Sequence, residues 1–113
     1  MTDRQRIGRQ NKSRSKAIER DWAHALGTAR IGPTGARGPD LRVGPWDIEV
    51  KSRLHARLPS LIQEAIRKAA PGQTPVLALT LRNPGHPSDH YVVLRREDFV
   101  AWCVNVAELE AQP

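Results

Sequence analysis

At 113 residues the chain has room for one modest hydrophobic core and not for two independent domains, so any large substrate must be met on a surface. Hydrophobic residues make up 39% and charged residues 27%, a mixture that excludes wholesale disorder and predicts a globular fold. The net charge of +6 favours polyanions, nucleic acid first, while the single cysteine, Cys103, excludes an intramolecular disulfide.

In chain order, residues 1–14 are polar and basic with almost no apolar anchor, which predicts a flexible N-terminal arm ahead of one domain spanning 15–113. A helix is expected from Ser15, which can cap it, with Ile18, Trp22, Ala25 and Leu26 at helical spacing and Gly27 as the stop. Thr28 to Ile31 reads as a short strand. Gly32 to Gly38 follows as a glycine-rich loop whose three Gly-x-y triplets are far too few for a collagen helix. Leu41 to Val43 and Trp46 to Ser52 read as a hairpin turned by Gly44-Pro45. Pro59 suits the first turn of a second helix, striped by Leu58, Leu61, Ile62, Ala65, Ile66 and Ala69 and ended by Pro71-Gly72. Val76 to Leu81 is an apolar run expected at the centre of a sheet, and His90 to Arg95 is its expected partner beyond the turn-rich Asn83 to Asp89. A final helix is expected near Glu97, carrying Phe99, Val100, Trp102 and Val106. No apolar signal core opens the chain and no apolar run is long enough to span a membrane, which leads to the expectation of a cytoplasmic protein.

The hairpin raises a chemical question. A turn at Gly44-Pro45 sets Val43 against Trp46, Arg42 against Asp47, Leu41 against Ile48 and Asp40 against Glu49. Opposed like charges repel, so two facing carboxylates require a reason, and a hard divalent cation such as Mg²⁺ or Mn²⁺ supplies one. Strand alternation places Lys51 on the face of Glu49, where an ammonium can stabilise charge on a phosphate, and extends that face to Arg53 and, with the chain still extended, His55 and Arg57. An amphipathic strand with a solvated charged face is the simpler reading of Glu49 and Lys51 alone. Asp47 shares the face but has Arg42 as its partner across the hairpin.

Taken together, Pro39-Asp40 followed by Glu49-Val50-Lys51 resembles the PD-(D/E)xK nuclease motif. The order KSRSKAIERDWAHAL, ARIGPTGARGPDLRV, WDIEVKSR is similar to archaeal-type Holliday junction resolvases and their phage relatives over about residues 12 to 82. The resemblance implies a restriction-endonuclease-like α/β fold, a central mixed β-sheet flanked by helices. It also implies a Mg²⁺-dependent endonuclease, Mn²⁺ being an alternative, with Asp40, Glu49 and the helix-borne Glu19 as metal ligands and Lys51 as the catalytic lysine. Gln63 stands where such nucleases often carry a helix glutamine, and a merely solvated residue is its alternative. The expected partner is DNA, a four-way junction above all, bound by a homodimer through Lys12, Arg14, Lys16, Arg30, Arg37, Arg53 and Arg57, with cleavage leaving a 5′-phosphate and a 3′-hydroxyl. The glycine-rich loop would let backbone approach phosphates, or is a plain connector. A nicking or restriction-type nuclease and a DNA-binding module without catalysis remain open.

Other signals carry less. His86 and His90 have a spacing found in zinc sites, but no cysteine pair accompanies them. Trp22, Trp46 and Trp102 fall on apolar stripes and are expected in the core, Trp46 being the one candidate for stacking on a base.

Overall fold

The computed structural model describes residues 2–31 and 38–112. Its first helix, α1, runs Asp3–Leu26 and so takes in the stretch expected to be an arm. The sequence explains the difference. Thr2 and Gln5 form a capping box, the Gln5 N–H donating to the Thr2 hydroxyl at 3.2 Å and the Thr2 N–H to the Gln5 side chain at 3.0 Å. Arginine, glutamine and lysine then propagate a helix well without any apolar stripe. Gly27 closes it in the left-handed region at φ 68°, where a glycine carries no steric penalty.

Thr28 to Ile31 forms no strand. The Thr28 N–H turns back to the Ala23 carbonyl at 2.9 Å, and this stretch meets the hairpin through the Thr28 hydroxyl, donating to the Arg42 carbonyl at 3.3 Å, and the Ile31 N–H, donating to the Asp40 carbonyl at 3.1 Å. Gly32 to Arg37, and with them the expected role of the glycine-rich loop and of Arg37, lie outside the described residues, as does the side chain of Lys12.

The hairpin has the expected register. Strand β1, Leu41–Val43, pairs antiparallel with β2, Trp46–Arg53, as Leu41 with Ile48, Arg42 with Asp47 and Val43 with Trp46. Helix α2, Leu58–Lys68, carries Pro59 in its first turn and crosses over to β3, Thr74–Leu81, which lies parallel to β2. A parallel pair needs such a crossover. Strand β4, Asp89–Val93, is antiparallel to β3 and precedes α3, Arg96–Ala111. The result is a mixed α/β arrangement, a four-stranded sheet of order β1-β2-β3-β4 with three helices among the described residues.

The two faces of β3 divide the core. Val76 and Ala78 pack with Ala23, Leu41, Ile48 and Val50 beneath α1, while Leu77 and Leu79 pack with Leu61 beneath α2. Thr80, fully buried, accepts a hydrogen bond from the Trp22 indole at 3.0 Å and lies 2.8 Å from His90 Nδ1, so His90 links β4 to α1 across the sheet.

Helix α3 departs from expectation. None of its residues is buried, and Trp102, expected in the core, is about half exposed, as are Phe99 and Val100. Phe99 and Trp102 instead form one side of an open apolar cavity of about 820 Å³ whose other walls include Trp22, Val43 and Trp46. The helix is also acidic: one arginine against four carboxylates gives it −3, leaving +9 on the remainder of a chain whose total is +6. Among the described residues no helix is long and apolar enough to cross a membrane.

Candidate active site

Because β1 begins only at Leu41, no strand among the described residues lies beside the edge of β2 beyond Ile48. Asp40, the residue just before β1, takes up that edge. Its own N–H bonds the Ile48 carbonyl at 3.0 Å and its carboxylate Oδ2 accepts the Val50 N–H at 2.9 Å. The side chain thereby replaces the next rung of the ladder and is fixed beside Glu49. A polar cavity of about 310 Å³ opens there, reached by both flanking helices: Glu19 and Ser15 from α1, Lys68 from α2, and Asp40, Glu49 and Lys51 from the hairpin. Ser15, expected to cap a helix, lies within α1 and faces this cavity.

Glu49 is the deepest of these groups, its side chain only 3% exposed. Its Oε1 accepts from the Lys68 ammonium at 3.0 Å and has the Lys51 ammonium at 3.5 Å, while its Oε2 is buried without a hydrogen-bond partner. Glu64 joins the two lysines from α2, with Oε2 at 3.0 Å from Lys51 and Oε1 at 3.5 Å from Lys68. Lys51 is thus held at a fixed position in the cavity wall by two acids.

The electrostatics follow from this crowding. Burial pushes the Asp40 carboxyl up to about 6, and the nearby Glu49 adds to the rise against the pull of the Val50 N–H and Lys68. Burial opposes the charged form of Lys68, yet Glu49 and then Glu64 hold its ammonium above the ordinary lysine value. Glu64 is likewise held down by Lys51 and Lys68 against its own partial burial. Asp47 belongs to a separate cluster. Burial works to raise it, but Arg42 at 2.6 and 3.0 Å, the Ala70 N–H at 2.9 Å and the Gln73 amide at 3.0 Å hold its carboxyl at about 2. Its pairing with Arg42 across the hairpin is as expected.

Of the residues singled out in the sequence, Glu19, Asp40, Glu49 and Lys51 line one cavity. Gln63 does not: it is exposed on α2, and its neighbour Glu64, with Lys68, reaches the site instead. Glu19 is engaged by Arg30, whose Nε donates to its Oε2 at 2.8 Å, so Arg30 stands beside the site as an ion-pair partner. Arg53 lines the cavity and is exposed, as are Arg57 at the start of α2 and Arg14 and Lys16 on α1.

The fit to a divalent cation rests on two groups. A buried carboxylate oxygen with no partner on Glu49, and an Asp40 carboxyl raised by burial and by that neighbour, are both relieved by a hard cation. Among the described residues no three His, Cys, Asp or Glu side chains form a metal-binding group, and Glu19 is paired with Arg30. Mg²⁺ commonly takes one or two protein carboxylates and completes its shell with water and phosphate oxygens, so Asp40 and Glu49 are a suitable donor set. The chain matches no protein-family model, no curated protein and no solved structure.

Proposed function

We propose that the chain is a Mg²⁺-dependent, structure-selective DNA endonuclease of the restriction-endonuclease-like fold, cutting four-way junctions as a homodimer, with Mn²⁺ able to replace Mg²⁺. The observation that carries this reading is the convergence of a second acid, Asp40, and an ammonium, Lys51, on the buried Glu49 with its unpartnered oxygen, beside an open strand edge. A cation bound by Asp40 and Glu49 would supply the Lewis acidity that phosphodiester hydrolysis requires near neutral pH.

The protein's own groups have distinct tasks. Lys51, anchored by Glu64, presents positive charge where the phosphate oxygens gather negative charge as the bond to the leaving oxygen breaks. Asp40 acts in its ionised form. Arg53 at the cavity, with Arg57, Arg14 and Lys16, holds the DNA backbone through contacts that carry no sequence information. The half-exposed apolar residues of α3 support the homodimer, because a helix apolar over most of its circumference calls for a cover. The ion pairs that Lys51 and Lys68 make with Glu49 and Glu64 favour a second reading, a DNA-binding module in which the same network only stabilises the fold.

The test compares cleavage of a four-way junction with linear, nicked and flapped DNA in Mg²⁺. Glu49→Ala and Lys51→Ala are expected to keep DNA affinity, which comes from the basic residues, and to lose about 10²-fold or more in rate. Wild-type rates in both variants overturn the site assignment. Preference for linear or nicked DNA identifies a restriction or nicking enzyme, and binding without cleavage of any substrate identifies the module.

A further inference from the structure

We propose that Lys68 is a tethered counter-ion for Glu49 which a divalent cation must displace, so that this side chain sets the metal concentration at which the site fills. The inference rests on the reading of Asp40 and Glu49 as the metal-binding pair. A carboxylate buried as deeply as Glu49 requires a positive partner. Two ammoniums are at hand, and the distances separate their roles. Lys51 lies closer to Glu64, at 3.0 Å, than to Glu49, at 3.5 Å. Lys68 has the opposite preference, 3.0 Å from Glu49 and 3.5 Å from Glu64. Lys68 is therefore the principal counter-ion of Glu49.

Their mounting differs as well. Lys51 projects from the middle of a strand paired along its length with β3. Lys68 is the last residue of α2, on a long flexible stem, and has Glu64 one turn earlier on the same helix face. A cation bound to Glu49 and Asp40 would lie within a few ångströms of the Lys68 ammonium, where like charges repel strongly away from bulk water. The second acid gives the lysine somewhere to go, since a change of side-chain torsions moves it from Glu49 to Glu64 without disturbing the backbone. In the metal-free protein Lys68 thus holds the acidic cluster together, and metal binding is an exchange of one cation for another.

The experiment is calorimetric titration of the DNA-free full chain with Mn²⁺, and with Ca²⁺, for wild type, Lys68→Met, Lys68→Arg and Glu49→Gln. Lys68→Met is expected to bind at least about tenfold tighter, the low end of what a nearby charge does to proton binding at a carboxylate. Lys68→Arg, which keeps the charge, is expected to stay near wild-type affinity, and Glu49→Gln to lose binding. Thermal unfolding gives a second readout: Lys68→Met unfolds below wild type without metal and gains more from Mn²⁺. If Met disturbs the end of α2, Lys68→Gln makes the same comparison. Equal or weaker binding by the Met and Gln variants, with Glu49→Gln still inactive in binding, overturns the role of Lys68 and leaves the metal site standing. Indistinguishable titrations of wild type and Glu49→Gln remove the metal site and this inference together.

Discussion

Asp40 has a charge that folding disfavours. Its carboxyl moves from 3.8 to about 6 on folding, so the folded state prefers the protonated acid. The stability this contributes is fully present below about 3.8 and is lost as the pH rises through about 6. Asp40→Asn is therefore expected to be more stable than wild type at pH 8 in the absence of metal, by about 1 kcal/mol once solvent screening of this partly exposed group is allowed for. The advantage should vanish near pH 4, where wild-type Asp40 is itself protonated, and reverse when Mn²⁺ is present. Urea denaturation at the two pH values, with and without metal, checks it, and a variant less stable than wild type at pH 8 would show that ionised Asp40 is not under strain. Metal affinity of wild type should correspondingly rise through about pH 6, as protons cease to compete for Asp40.

At the scale of the element, the hairpin was legible because its turn residues and its charges agree: Gly44-Pro45 fixes the register, and the register pairs Arg42 with Asp47. What the pairing pattern could not reveal is that Asp47 also accepts from Ala70 and Gln73, beyond the end of α2, and so joins the hairpin to the crossover. Asp47→Ala leaves those donors without an acceptor and is expected to cost about 2 kcal/mol or more, measured by chemical denaturation, with no effect on metal affinity. Other elements were misread for definite reasons. The search for apolar periodicity passed over residues 3–14, although T-D-R-Q is a capping box in plain sequence. Gln63 is the solvated residue of its two readings, and helix phase explains why: Glu64 and Lys68 each follow a buried residue, Leu61 and Ala65, by three positions, whereas Gln63 lies on the far side. Reading α2 by phase would have placed Glu64 and Lys68 at the sheet and so beside Glu49.

For the molecule as a whole, α3 is the part that one chain leaves incomplete, and Trp102 is expected in the core from its place on an apolar stripe but is half exposed. The occupant we propose is a second copy. An apolar helix beside an apolar cavity on the same chain is self-complementary under two-fold symmetry, and an acidic helix is attracted to a chain that is otherwise +9. Wild type is expected to be a dimer at micromolar concentration by light scattering, and Val100→Glu with Val104→Glu to be a folded monomer by circular dichroism, since both side chains are half exposed in the single chain. A monomeric wild type, or a dimer indifferent to these changes, removes α3 as the interface.

The acidity of α3 also acts before anything touches. Its four carboxylates lie on the helix that follows β4, the strand at the far end of the sheet order from β1, while the positive excess belongs to the rest of the chain, so charge is unevenly divided over one small body. Such a body feels a torque near a polyanion as well as a pull. If the proposed DNA substrate is right, a duplex within about 8 Å, the screening length at physiological salt, should repel this helix and turn it away. A random collision becomes an aligned one, and raising the salt should slow the capture of DNA by loosening that alignment before it weakens any contact made afterwards.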